Sequence, residues 1–178
     1  MSYGELPFGC RDCKIKPVGG APSTNKDLPR IRTVELNVTR NSTDLEADDV
    51  TVATHTFAKS LEGSIEAGGI NPAVLPLLDG GTVTTTGTTP NRVTTYRVAG
   101  TDVENYFTLE AQMYADDGGD LHIVAYKVKA TNGPNYSFTQ GEFALTRCDL
   151  KAIFDDSFNP SRLYDLVFNE TVTPIATS

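Results

Sequence analysis

The side chains best able to do chemistry in this sequence are three cysteines, two histidines and two runs of carboxylates. Cys10 and Cys13 form a Cys-x-x-Cys pair, the spacing of a metal knuckle or a redox couple. A structural zinc site takes four ligands, and beyond this pair the chain offers only Cys148, His55 and His122. A thioredoxin-like pair follows a strand and opens a helix, whereas Arg11-Asp12-Cys13-Lys14-Ile15 has no helical pattern. Free thiols are therefore expected, and their odd number suits a reducing compartment. His55 falls on the apolar side of an alternating run and His122 beside a turn at Asp120, so both read as core or edge residues. Without a G-x-S-x-G or H-E-x-x-H motif, neither hydrolase nor metalloprotease has visible machinery. The carboxylates Asp116, Asp117 and Asp120, and Asp44, Glu46, Asp48 and Asp49, do not match the spaced calcium loop with its distal Glu. They read as a hairpin turn and a solvated loop. A P-loop, a dinucleotide fingerprint and an aromatic-basic nucleic-acid patch are all missing from the sequence. The expectation is a protein that is not an enzyme, with no catalytic residue, metal ligand or cofactor.

The elements that would position any site follow from composition and periodicity. The 178 residues are enough for one domain with a real core, and no run approaches the roughly 18 apolar residues of a membrane span. The opening 20 residues lack the apolar centre of a signal peptide, so a soluble, unexported protein is expected. The chain holds 23 Thr, 14 Val, 15 Gly and 10 Pro, a balance that favours strands and tight turns. Lys16 to Pro29 has three prolines and no apolar period, which predicts an extended arm over 1–30. Val34, Leu36 and Val38 alternate with polar residues in a strand from Arg32 to Arg40. A longer run, Val50 to Ala67, puts Ala53, Phe57, Leu61 and Ile65 on one face, with a bend expected at Gly63.

Asn71-Pro72 announces the only helix, short and apolar nearly all round, with Pro76 inside it and Gly80-Gly81 ending it. Hairpins follow: 82–86 with 92–98, 104–115 with 121–130, then 136–148 and a last strand over 162–169. Phe107, Leu109, Ala111 and Met113 form one apolar face, and Val124, Tyr126, Val128 and Ala130 another. Two packed antiparallel sheets in a mostly β domain over 31–169 account for this pattern. Residues 170–178 read as a polar, mobile tail.

Charge is uneven. The first 40 residues carry seven Lys or Arg against four acids, a balance of +3, and the rest carry eight against nineteen, a balance of −11. The overall −8 argues against tight binding of nucleic acid, whose phosphates are gripped by Lys and Arg. A basic leading segment on an acidic body is complementary between copies.

Two stretches carry a resemblance. Gly9-Cys10-Arg11-Asp12-Cys13-Lys14-Ile15, and the run from Asp49-Val50-Thr51-Val52-Ala53-Thr54-His55 through Ser60-Leu61-Glu62-Gly63-Ser64-Ile65-Glu66-Ala67-Gly68-Gly69-Ile70-Asn71 to Leu78-Asp79-Gly80-Gly81, resemble the major tail tube proteins of phages with long non-contractile tails. In that family a long strand runs into Gly-Gly, a short apolar helix and a second Gly-rich turn. The departures are the cysteines at 10 and 13, where the family pattern has apolar residues, and the lack of an appended surface domain.

The resemblance implies two orthogonally packed sheets in a barrel-like sandwich flanked by one short helix. It also implies six-copy rings closed head to tail, and rings stacked into a virion tail tube made in the bacterial cytoplasm. Implied partners are further copies of the chain, a tape-measure protein, terminator or tip proteins at the tube ends, and double-stranded DNA in transit, with no membrane. On that basis Glu62, Glu66, Glu104 and Glu110 are candidates to face the lumen. Arg11, Lys14, Lys16, Lys26 and Arg30 are candidates to dock on Asp44, Glu46, Asp48 and Asp49 of an adjacent ring. The alternative from another class is a non-enzymatic β-sandwich that binds or decorates a virion or cell surface, marked by exposed aromatics on loops.

Overall fold

A computed structural model of the chain describes residues 4–47 and 50–176. In chain order the strands are β1 (Pro7–Pro17), β2 (Lys26–Asp27), β3 (Ile31–Ala47) and β4 (Val50–Ala67), then helix α1 (Leu75–Asp79). After it come β5 (Thr82–Thr86), β6 (Val93–Arg97), β7 (Phe107–Ala115), β8 (Asp120–Ala130), β9 (Asn135–Ser137), β10 (Leu145–Ile153) and β11 (Tyr164–Asn169). Among the described residues the protein is mostly β, with two sheets and one short α-helix. The large sheet runs β2-β1-β7-β8-β10-β4-β3, with β11 on β8 and β9 on β10, while β5 and β6 pair only with each other.

The large sheet curls so that its two ends nearly meet. β2 at one end and β3 at the other are joined by Leu28–Arg30 alone, which spans at most about 14 Å. No ladder crosses this seam among the described residues, so the barrel is not closed. The core lies inside the curl. Cys13 and Ile15 of β1, Leu61 and Ile65 of β4, Phe107 and Leu109 of β7, Val128 of β8 and Leu150 of β10 form one buried cluster with Leu28, Val74 and Leu78. Each large side chain taken from water contributes about 1.5–3 kcal/mol.

The opening segment is not a free arm, because β1 pairs with β7 from Pro7↔Ala115 to Pro17↔Phe107 and buries Cys13 and Ile15 completely. Its alternation is short but clear: Cys13 and Ile15 point inward. The tail is likewise held. Ile175 is buried, and Thr173 and Ala176 hydrogen-bond to the body.

Two local differences from the sequence pattern share one physical origin, an inserted residue. β4 has an extra residue at Ala58, since Arg40 pairs with Lys59 but Asn41 with Phe57. Faces exchange at such a bulge, so Phe57 and Ala53 lie opposite Leu61 and Ile65. β8 shifts in the same way, with Phe107↔Val128 followed by Leu109↔Ala125. Val128 and Ala130 therefore share the core with Ala125, while Val124 and Tyr126 turn to the other side. At Gly63 the register is unbroken, and the residue answers a different need: a Cβ there would collide with the Glu35 carbonyl of β3.

The helix starts at Leu75, later than Asn71-Pro72 predicts. Asn71 Oδ1 accepts the Ala73 N–H at 3.0 Å, closing a turn that precedes the helix. Pro76 consequently falls in the first turn, where its missing N–H has no helical partner to lose. Gly80 ends the helix at φ 85°, a left-handed conformation suited to glycine.

Candidate assembly surface

The β3–β4 hairpin is the longest element and the least covered. Its base is part of the body, because β10 pairs with β4 over Leu61–Ala67. From Thr39↔Ser60 outward, each strand has only the other as neighbour among the described residues. Val50–Ser60 then projects about 35 Å at ~3.3 Å per residue. An isolated two-stranded ribbon is marginal in water, yet this one exposes large apolar groups: Leu45 (62%), Val50 (63%), Val52 (62%) and Phe57 (48%). Because of the Ala58 bulge, Phe57 lies on the outer face with His55, and the two rings stack with centroids 6.3 Å apart. His55 is thus an exposed ribbon residue, not a core one. Toward the tip stand Asp44, which accepts from Thr54 Oγ1 at 2.7 Å, and Glu46. Asp48 and Asp49 lie outside the described residues.

The four acids expected to face a lumen do not form one unpaired patch. Glu62 and Glu66 are on the outer face of β4, where Glu62 meets Lys151 Nζ at 2.6 Å and Glu66 meets Arg32 at 3.3 Å. Glu104 pairs with Lys129 at 3.3 Å, and a backbone N–H with that ammonium holds its carboxyl below the usual value. Glu110 sits elsewhere, on β7, with His122 Nδ1 at 3.1 Å. The outer face of β3, β4, β10 and β8 therefore mixes signs: Glu35, Glu62, Glu66 and Asp149 stand among Arg147, Lys151, Lys127 and Lys129.

The basic candidates are dispersed as well. Arg11 lies 4.6 Å over the Tyr114 ring. Lys14 is buried, donating to Asp12 at 2.7 Å and to the Ile175 carbonyl at 2.8 Å, which removes it from any intermolecular contact. Lys16 and Lys26 are half-buried, and Arg30 is exposed beside the seam.

A second cluster, which periodicity could not reveal, lies under the C-terminal segment. Asp120 is fully buried on β8. Its carboxylate accepts from Gln112, from Asn169 Nδ2 at 2.8 Å, from the Thr173 N–H at 2.8 Å and from His122 Nε2 at 3.2 Å. Burial pushes the Asp120 carboxyl upward, but these donors outweigh it and hold the pKa below the usual carboxylate value. His122 bridges Glu110 and Asp120, one ring nitrogen to each. Gln112 Nε2 also reaches the Thr173 carbonyl at 3.1 Å, and Asn25 Nδ2 the Ala176 carbonyl at 2.8 Å. The arrangement is a polar clasp for residues 170–176.

Burial pushes the Cys10 thiol up to about 11 and Cys148 to about 12, with Asp12 and Asp149 adding to the effect, and raises the wholly buried Cys13 well above its ordinary value. Such thiols remain protonated and are poor nucleophiles or metal ligands. Among the described residues no group of three or more His, Cys, Asp or Glu could hold a metal ion.

No protein-family model and no curated protein matches the chain. Among solved structures it is similar to the tail of an empty GTA particle with C6 symmetry, at 11% identity and a TM-score of 0.42, over 89% of this chain and 94% of that one.

Proposed function

We propose that this protein is a non-enzymatic structural subunit that assembles head to tail into six-copy rings, stacked as the tube of a phage-type tail. The observation that carries the reading is the β3–β4 hairpin, a ribbon projecting about 35 Å with Leu45, Val50, Val52 and Phe57 uncovered. Between Thr39 and Ser60 both of its edges are open among the described residues. Open edges and apolar side chains of this kind are liabilities in a lone molecule and adhesive in an assembly. The same hairpin includes part of the sequence that resembles tail tube proteins.

Transit of DNA through such a tube is favoured by charge. Six copies at −8 each carry −48 per ring, and like-charged walls repel phosphates within a Debye length of about 8 Å. Since Glu62, Glu66 and Glu104 are ion-paired, the repulsion belongs to the net charge of the ring more than to those three side chains.

A second reading, a surface-binding module, draws on Phe138 and Phe143, exposed by 74% and 92% between β9 and β10. Electron microscopy of the concentrated purified protein separates the two. Rings or cylinders are the expected result, and a monodisperse monomer at every concentration would refute the assembly reading.

A further inference from the structure

Beside the seam of the curled sheet lies a pocket of about 410 Å³ lined by Arg30, Arg32, Gly68, Phe143 and Leu145. Arg30 is the only non-glycine residue with positive φ among the described residues, at 52°. A side chain in that left-handed region is uncommon, and glycine would occupy it without cost. The guanidinium makes no ion pair among the described residues. A strained backbone bearing an unpaired cation, next to the most exposed of the large apolar side chains (Phe143, 92%), is suited to an apolar segment that carries negative charge.

The chain itself contains such a segment. The distal β3–β4 hairpin presents Leu45, Val50 and Val52 beside Asp44 and Glu46. It cannot reach its own pocket, because Arg30 and Glu46 stand at opposite ends of β3, about 50 Å apart at ~3.3 Å per residue. We propose that the acidic, apolar tip of the β3–β4 hairpin of one copy seats in the Arg30–Arg32–Phe143 pocket of the next. The contact joins two different patches of the same chain, so it is heterologous and propagates or closes a ring in place of stopping at a pair. This inference rests on the self-assembly reading and names the surfaces that perform it. Arg32 is free to contribute to both, since its bond to Glu66 is solvent-exposed and weak.

A charge-swap mixing experiment tests it. The variant Arg30→Glu/Arg32→Glu has an acidic tip and an acidic pocket; the variant Asp44→Lys/Glu46→Lys/Asp48→Asn/Asp49→Asn, in which no carboxylate of the run is left to cancel the new lysines, has a basic tip and a basic pocket. Each alone should require at least about tenfold more protein to assemble than the wild type, from like-charge juxtaposition. The equimolar mixture should recover assembly, because both alternating contacts are then complementary. Phe143→Ser, which changes no charge and lies outside the core, should also weaken assembly. Light scattering and electron microscopy read all four samples, with circular dichroism confirming the fold; should a charge variant not fold, Phe143→Ser alone decides. If the wild type forms tubes and the variants match it, or the mixture recovers nothing, the pocket assignment is overturned while the assembly reading stands. A solitary wild type overturns both.

Discussion

Replacing Asp120 by Asn removes one charge from a site with no solvent access and leaves its shape nearly unchanged. In the native protein the carboxylate accepts four hydrogen bonds, and three of them converge on Oδ2. Asn retains a single acceptor oxygen. Placed at Oδ2, that oxygen keeps Gln112, His122 and the Thr173 N–H, but as neutral bonds, while its amide faces Asn169, which must flip to accept. Hydrogen bonds to charged groups contribute about 1.5–3 kcal/mol and neutral ones about 0.5–1.5. Non-additivity within one network reduces the sum, so the expected loss at pH 7 is about 2–4 kcal/mol.

The pH dependence follows from the depressed pKa. The stability contributed by Asp120 is fully present above the unfolded value of about 4 and disappears as pH falls through the lower folded value. Urea unfolding of wild type and Asp120→Asn between pH 7 and pH 2 measures both effects, with m near ~2–3 kcal/mol/M giving a midpoint shift of about 1 M at neutral pH. The two proteins should converge in stability toward pH 2. A shift equivalent to less than about 0.5 kcal/mol at pH 7, within the range of ordinary surface changes, or a gap that persists unchanged to pH 2, would refute the clasp.

Gly63→Ala should destabilise by about 1–3 kcal/mol in thermal or urea melts, since its methyl meets the Glu35 carbonyl in a backbone that must move to admit it. Removing residues 1–17 should leave a protein without cooperative unfolding, because β1 supplies Cys13 and Ile15 to the core and one neighbour of β7; a cooperative melt from the truncated protein would contradict this. Leu45→Ser with Val52→Ser should change monomer stability by no more than about 0.5 kcal/mol, both side chains being exposed, while lowering the amount of sedimentable assembly.

Periodicity made the strands legible and lost their faces at two points. Val50 to Ala67 reads as one alternation because β-branched and threonine residues continue through Ala58, and a bulge adds a residue without altering composition. The same blindness hides the face exchange in β8 between Ala125 and Val128. β1 was obscured by its neighbours: Cys13 and Ile15 alternate about Lys14, but three prolines follow and the buried lysine disguises a strand. That lysine is held by Asp12 and by the Ile175 carbonyl, a partner 161 positions away, which no local pattern encodes. The clasp at Asp120 is hidden for the same reason, since its donors come from β7, β8, β11 and the final segment. Net charge, the mostly β fold and the Gly80 stop were visible because each depends on composition or on a few adjacent residues, whereas the solvated loop expected around Asp44 and Glu46 is the outer part of β3.

Amide hydrogen exchange over Asp44–Glu46 and Val50–Phe57 reports whether another copy covers the outer half of the β3–β4 hairpin. In dilute protein these amides should exchange within the dead time of the measurement, as a solvated two-stranded ribbon does. In the assembled state they should slow by at least about tenfold, roughly 1.4 kcal/mol of added protection. Assembled protein in which they exchange as fast as in the dilute sample would show that no copy covers the hairpin.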